Sequence, residues 1–227
     1  RTATLNIGLD FSLFKNKLSG TLDVYNKKTT DLIAPYQVST TQYPFNVLTA
    51  NVGEMTNKGI ELSLNTTPVR TGNFSWNTAI NLSHNKNEIT SISNDLFQAN
   101  EFYTANVGGR GQSGALGYQV IKEGLPLGTF YTLRYAGKDG AGKSTFYDKN
   151  GVASTANTGF EHFTVTGSAQ PKLLYGWNNT FRYKQFDFNF FIRGVYGNKI
   201  LNATLADMNA PIYAFQTNIA EQTLTES

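Results

Sequence analysis

Leu5-Asn6-Ile7-Gly8-Leu9-Asp10-Phe11-Ser12-Leu13 alternates apolar and polar residues without a break. Period 2 is the repeat of a β-strand, so this run predicts a strand with one apolar and one polar face. After Lys15-Asn16-Lys17 the pattern resumes, with Leu18, Leu22 and Val24 opposing Ser19, Thr21 and Asp23. The two runs and their short polar link predict an antiparallel hairpin.

Three further pairs follow. Ile60, Leu62 and Leu64 alternate with Glu61, Ser63 and Asn65; after a turn at 68–73, Phe74, Trp76, Ile80 and Leu82 alternate with Ser75, Asn77, Ala79, Asn81 and Ser83. A weaker pair spans 115–122 and 127–136, joined through Glu123-Gly124-Leu125-Pro126. In the last pair Tyr175, Trp177, Phe181 and Tyr183 oppose Gly176, Asn178, Thr180 and Arg182. Beyond Lys184-Gln185, Phe186, Phe188, Phe190 and Ile192 oppose Asp187, Asn189 and Arg193. The expectation is an all-β chain, an antiparallel transmembrane β-barrel segment of about eight strands, each roughly 9–12 residues long and able to cross a bilayer when tilted. Short turns near 15–17, 68–73, 123–126 and 184–185 alternate with long polar connections near 29–57, 86–114, 137–170 and 197–227. Outer-membrane barrels have this asymmetry, with short periplasmic turns and long extracellular loops, whereas a soluble sandwich keeps its connections similarly short.

Composition agrees with a barrel wall. Of 227 residues, 13% are aromatic and only 15% charged, against about 25% charged in soluble domains. No stretch of about 18 apolar residues offers a transmembrane helix. Cysteine is absent, which excludes disulfides and thiolate metal sites. The net charge of +3 has no basic run behind it, so no nucleic-acid partner is expected. The chain opens at Arg1-Thr2-Ala3-Thr4, at once in a strand pattern and with no leader. Residues 1–227 are therefore read as part of one barrel domain, incomplete at both ends. The candidate lumen- and substrate-facing residues are those of the polar strand sides: Asp10, Asp23, Glu61, Asn65, Asn77, Asn81, Arg182, Asp187, Asn189 and Arg193. A watery lumen solvates such groups and a packed core does not. A one-residue slip in register would turn every one of them to the lipid.

The stretch Asn51-Val52-Gly53-Glu54-Met55-Thr56-Asn57-Lys58-Gly59-Ile60-Glu61-Leu62 resembles the entry into a barrel strand in the SusC/RagA family, TonB-dependent outer-membrane transporters of Bacteroidota. Asn6 to Phe11, Gly20 to Tyr25 and Lys28 to Leu32 resemble the hairpin before it. Glu123 to Tyr131, then Gly167 to Lys172, Gly176 to Phe181 and the aromatic strand through Tyr196-Gly197-Asn198 resemble later parts, in the same order. The resemblance implies a plugged barrel of about 22 strands. It implies nutrient uptake, as import of glycan or peptide fragments, with partners in a SusD-like surface lipoprotein and, through an N-terminal segment outside this chain, the TonB complex. It implies neither an enzyme nor a cofactor. The family's last strand ends on an aromatic residue, whereas this chain ends Thr225-Glu226-Ser227.

Several motifs invite other chemistry. Gly137 to Ser144 matches G-x-x-x-x-G-K-[ST], but Thr145-Phe146-Tyr147 follows where a phosphate loop needs a helix, so a flexible surface loop is expected. Gly108 to Gly114 is Gly-rich without dinucleotide spacing and reads as a mobile loop. Asp148 to Ala153 sits where many relatives carry a calcium-like loop, but Val152 and Ala153 stand where an oxygen ligand and a glycine belong, so no metal is expected. The two histidines, His84 and His162, have no nucleophile motif near them; His84 is expected at a strand end and His162 in a loop. Tyr36, Tyr43, Phe45, Phe102, Tyr103, Phe160 and Phe163 fall in predicted loops, where they stack on sugar rings, pack onto a lid or pack loop against loop. Two other functions stay open: a soluble β-rich carbohydrate-binding module, and a porin or adhesin barrel without TonB coupling.

Overall fold

The computed structural model describes residues 1–106, 117–209 and 218–221. The first four strands are β1 (Thr2–Leu13), β2 (Leu18–Gln37), β3 (Val47–Arg70) and β4 (Phe74–Ser91). Seven short strands follow: β5 (Phe102–Thr104), β6 (Gln119–Ile121), β7 (Thr129–Thr132), β8 (Arg134–Lys138), β9 (Ser144–Tyr147), β10 (Ala153–Ser154) and β11 (Thr164–Ser168). The last two, β12 (Leu173–Tyr183) and β13 (Phe186–Tyr196), are long again. A six-residue helix α1 (Ala203–Met208) is capped by Asn202, whose side chain accepts from the Leu205 N–H.

The long strands form one antiparallel sheet in the order β1-β2-β3-β4-β12-β13. Tight turns at 14–17, 71–73 and 184–185 join its hairpins. Phe14, Lys15, Asn16 and Lys184 there adopt positive φ of 52–66°, the twist that suits a close hairpin turn. β4 pairs directly with β12, from Phe74 opposite Tyr183 to Ser83 opposite Leu174. The wall therefore resumes after an excursion of residues 92–172.

The excursion corrects one expected hairpin. The weak pair at 115–122 and 127–136 does not enter the wall. Its described part gives β6 and β7, which belong to a separate four-stranded sheet, β11-β7-β6-β5, while β8 belongs to a three-stranded sheet, β10-β9-β8. Glu123 to Pro126 is no hairpin turn of the wall either. The Ile89 N–H donates to the Leu125 carbonyl, the Gly124 N–H to the Ile89 carbonyl, and the Ile92 N–H to Glu123 Oε1. This short segment therefore returns to the end of β4. The chain divides into two compact units, one of residues 1–100, 123–126 and 170–198 and one of 101–122, 127–169 and 199–227.

Strand lengths also depart from expectation. β2, β3 and β4 run 20, 24 and 18 residues, beyond the roughly 9–11 needed to cross hydrocarbon. Most of the expected loop at 29–57 is thus strand, and only 38–46 connects β2 to β3. The expected loops at 86–114 and 137–170 likewise carry the end of β4, β5 and the strands β8 to β11. The β2–β3 ladder survives by absorbing a register shift between Thr29 and Ile33, where Asp31 has φ 58°.

Residues directly opposite each other in an antiparallel ladder share a face, so the register fixes both faces of the wall. Leu5, Ile7 and Leu9 lie level with Asn26, Val24 and Leu22, and the same face continues through Ile60, Leu62, Ile80, Leu82, Tyr175, Trp177 and Ile192. Leu5, Ile7, Leu9, Phe186 and Phe188 are 59–67% exposed on it. Only Tyr36, Val52, Ile89, Ile92 and Val120 form buried apolar core among the described residues. An apolar sheet face left this open needs a nonaqueous neighbour. The described residues hold no helix long and apolar enough to cross a membrane.

A polar island interrupts that face. Asn179 is fully buried beside Trp76, Phe181 and Phe190, whose rings stack in one row. Its Oδ1 accepts from Trp76 Nε1 at 3.0 Å, while its Nδ2 has no partner. Beside it Trp177 Nε1 donates to Thr78 Oγ1 at 2.8 Å, and that hydroxyl donates to the Asn178 carbonyl. The strand alternation skips Thr78 and Asn179 because hydroxyl and amide stand where apolar residues were expected.

Candidate functional site

The opposite face of the wall is polar. Asp23 lies opposite Glu61, Glu61 opposite Ser83, and Asp10 opposite Thr21. Asn65 stands opposite Ala79, Ser63 opposite Asn81, and Asn81 opposite Gly176. Asn77 and Asn189 flank Thr180, Asp187 faces Arg182, and Arg193 faces Gly176. All ten residues named from strand parity thus share this one face.

They are not one cluster. Asp23 accepts from Asn6 Nδ2 at 3.3 Å, and Glu61 from Ser83 Oγ at 3.4 Å. Asn81 accepts from Ser63 at 2.7 Å and Asn77 from Thr67 at 2.8 Å. Asn189 Nδ2 donates to Asn178 Oδ1 and Thr180 Oγ1. Arg182 pairs with Asp187 at 2.9 Å, both side chains about two-thirds exposed, so the pair adds little stability.

Tyr25 is absent from that set. It lies opposite Gly59, and Gly59 lies opposite Asn85. The ring lies across Gly59, where a Cβ would run into Tyr25 Cζ. Its hydroxyl donates to Asn85 Oδ1 at 3.2 Å. Asn57 Oδ1 accepts from Asn87 at 2.8 Å in the next row. Tyr25, Asn57 and Asn85 line an open trough of ≈ 710 Å³ together with Thr4, Asn6, Asp23, Lys27 and Glu61. The one signal in the sequence is Gly59 itself, a glycine inside a strand pattern, which marks close approach of another group.

The aromatics expected in loops divide. Tyr36 belongs to β2, is 1% exposed, donates to the Ile92 carbonyl at 2.7 Å and packs on Phe97 at 5.3 Å. It is a packing residue of the strand extension. Phe102 and Tyr103 belong to β5. Tyr43 and Phe45 pair at 6.1 Å, with Phe45 exposed. Phe163 packs against both Tyr131 and Phe160 in the second unit. In that unit Tyr103 and Lys122 both donate to Glu101, at 2.6 and 2.8 Å. Burial alone raises the Glu101 carboxyl, but the two donors outweigh it and hold it below its ordinary range. Burial and the Glu101 carboxylate push the Tyr103 hydroxyl well up.

The phosphate-loop match is a hairpin. Gly137 to Ser144 spans the β8–β9 turn, with Asp139 Oδ1 accepting from the Ala141 and Lys143 N–H groups, so the loop binds its own backbone. Asp148 does the same, accepting from the N–H groups of Asn150 and Val152. No group of three or more acidic, His or Cys side chains that could hold a metal occurs among the described residues. His84 lies within β4 and not at its end, its Nδ1 2.5 Å from the Lys172 carbonyl. His162 sits beside Glu161 in a 3-10 turn. The glycine-rich run 108–114 lies outside the described residues.

The profile of the family described as "TonB dependent receptor-like, beta-barrel" matches residues 1–170. A TonB-dependent receptor of Formosa agariphila is 33% identical over 88% of the chain, and the TonB-dependent receptor SusC of Bacteroides thetaiotaomicron is 28% identical over 88%. A solved structure of the RagAB peptide transporter superposes on 90% of the chain with TM-score 0.72 at 24% identity. The chain spans about a fifth of each of these proteins, 21%, 20% and 22%.

Proposed function

Because this chain belongs to the TonB-dependent receptor β-barrel family of the outer membrane, we propose that it supplies wall and outer excursion to a transporter that imports glycan or peptide fragments. The observation that carries this is the single sheet with two unlike faces. One face leaves apolar side chains open, and the other bears Asp10, Asp23, Glu61, Arg182, Asp187 and Arg193. The first suits acyl chains and the second a water-filled lumen. Further strands of the same barrel pair with the open edges of β1 and β13, since an unpaired ladder is not stable in lipid. The long connections 38–46 and 92–172 leave the wall at the ends opposite its tight turns and form part of the extracellular vestibule. A plug coupled to TonB gates the lumen, and a SusD-like lipoprotein closes the outer mouth.

Cells expressing the full-length protein test this by uptake of labelled oligosaccharides and peptides with and without TonB. Uptake that needs both the protein and TonB supports the reading. Uptake that persists without TonB makes the protein a porin. A full-length protein that is soluble and monomeric without detergent is no barrel.

A further inference from the structure

We infer that Lys58 and Lys86 hold the phosphate headgroup of an anionic membrane lipid; this rests on the apolar face of the wall meeting the bilayer. The register orders that face in rows. Leu9, Leu22, Leu62, Leu82 and Tyr175 make one row, and Ile7, Val24, Ile60 and His84 make the next. In the row after that, Leu5 is followed by Asn26, Lys58 and Lys86. The face thus turns from apolar to basic on the side of the long connections. The apolar run Leu5 to Leu13 matches the roughly 9–11 residues that carry a tilted strand across hydrocarbon. The two lysines therefore leave the wall at headgroup depth. There a lysine stem lies on apolar surface and its ammonium reaches the polar layer.

The charges in that layer do not balance. Lys58 and Lys86 stand directly opposite each other, and like charges so placed weaken a ladder. Lys86 takes Glu88 at 2.8 Å and, one row further out, Lys28 takes Glu54 at 2.8 Å. Lys58 forms no ion pair among the described residues. An anion seated between Lys58 and Lys86 relieves their repulsion and supplies the missing charge. Phosphate oxygens accept from both ammonium groups and from the amide of Asn26, which lies opposite Lys58. Acyl chains attached to that phosphate run down the rows below, over the exposed side chains of Val24 and Ile60, and a free anion leaves these bare. Strands that complete the barrel join at β1 and β13, so β2, β3 and β4 keep this face outward.

The test titrates the full-length protein, purified in a nonionic detergent, and reads bound lipid by native mass spectrometry. The probes are dioleoyl phosphatidic acid, dioleoyl phosphatidylcholine and inorganic phosphate. Phosphatidic acid is expected to bind roughly tenfold or more tighter than phosphatidylcholine, and an equal concentration of inorganic phosphate to leave it bound. The double variant Lys58→Gln, Lys86→Gln is expected to erase that preference. Lys58→Arg with Lys86→Arg keeps both charges and retains it, as does Lys15→Gln with Lys184→Gln at the opposite end of the wall. Far-UV circular dichroism confirms that each variant is folded. Equal binding of the two lipids, a preference that survives the double Gln variant, or displacement by inorganic phosphate overturns the site. A dimer that the double Gln variant dissociates also overturns it, since the face then seats a second copy. Uptake measured on the same variants keeps the two readings apart. Parent uptake that needs TonB, with lipid binding indifferent to the double Gln variant, removes the lipid site alone. A lipid preference lost in that variant, with uptake that ignores TonB, removes the import reading alone.

Discussion

At the scale of a residue, Asn179 shows how a polar group is kept on the apolar face of the wall. Its carbonyl holds the Trp76 indole N–H, and the rings beside it exclude water. Asn179→Ala leaves that N–H without an acceptor, so a loss of about 1–3 kcal/mol is expected, read from guanidinium unfolding of the full-length protein in lipid vesicles. Glu101 gives a pH dependence. Its folded pKa lies below the ordinary 4.5, so its stabilisation is complete above that value and is lost as pH falls through the folded pKa. Amide exchange in β5 and β6 is expected to quicken as pH falls below 4.5, beyond its intrinsic change, and Glu101→Gln to flatten that response. Neither role is legible in the sequence. An asparagine in an aromatic run breaks the alternation without saying what it bonds, and Glu101 finds Lys122 only through the pairing of β5 with β6.

At the scale of elements, the two-faced hairpins are legible and their neighbours are not. Period 2 marks the strands and the side each residue takes, which is why all ten parity-chosen residues fall on one face. Periodicity carries no information on which strand follows β4 in the sheet. The run at 127–136 alternates weakly and reads as wall, yet β12, far beyond it in the chain, takes the place beside β4. The extensions of β2 and β3 stay hidden for a different reason. Pro35 and Asn51 are loop-forming residue types, but the ladder holds Pro35 opposite Thr49 and Asn51 opposite Ile33. Gly20 tests the packing of these elements. A Cβ there would lie 2.5 Å from the Ser63 carbonyl oxygen and 2.7 Å from the Phe11 ring. Gly20→Ala is therefore expected to cost about 1–3 kcal/mol by overpacking, measured by the same unfolding experiment. Gly72→Ala, which meets nothing within 4 Å, is the neutral comparison.

At the scale of the whole molecule, the family resemblance read from Asn51 to Leu62 is borne out by the profile match and the relatives. The expected orientation of the wall is open to a direct experiment. Leu9 and Asp10 are neighbours on opposite faces. Leu9→Arg is expected to destabilise the barrel by up to about 2–4 kcal/mol, the cost of a cation against lipid near the midplane, whereas Asp10→Arg is expected to leave stability nearly unchanged. Equal effects in vesicle unfolding would show that the faces are assigned wrongly. The direct bonding of β4 to β12 has a consequence for how such proteins diversify. Everything between Ser91 and Leu173 hangs from two neighbouring strands of one ladder, and loop-closure entropy rises only slowly with length. Evolution can therefore lengthen, shorten or exchange that whole excursion while the rungs of the wall keep their sequence and their register.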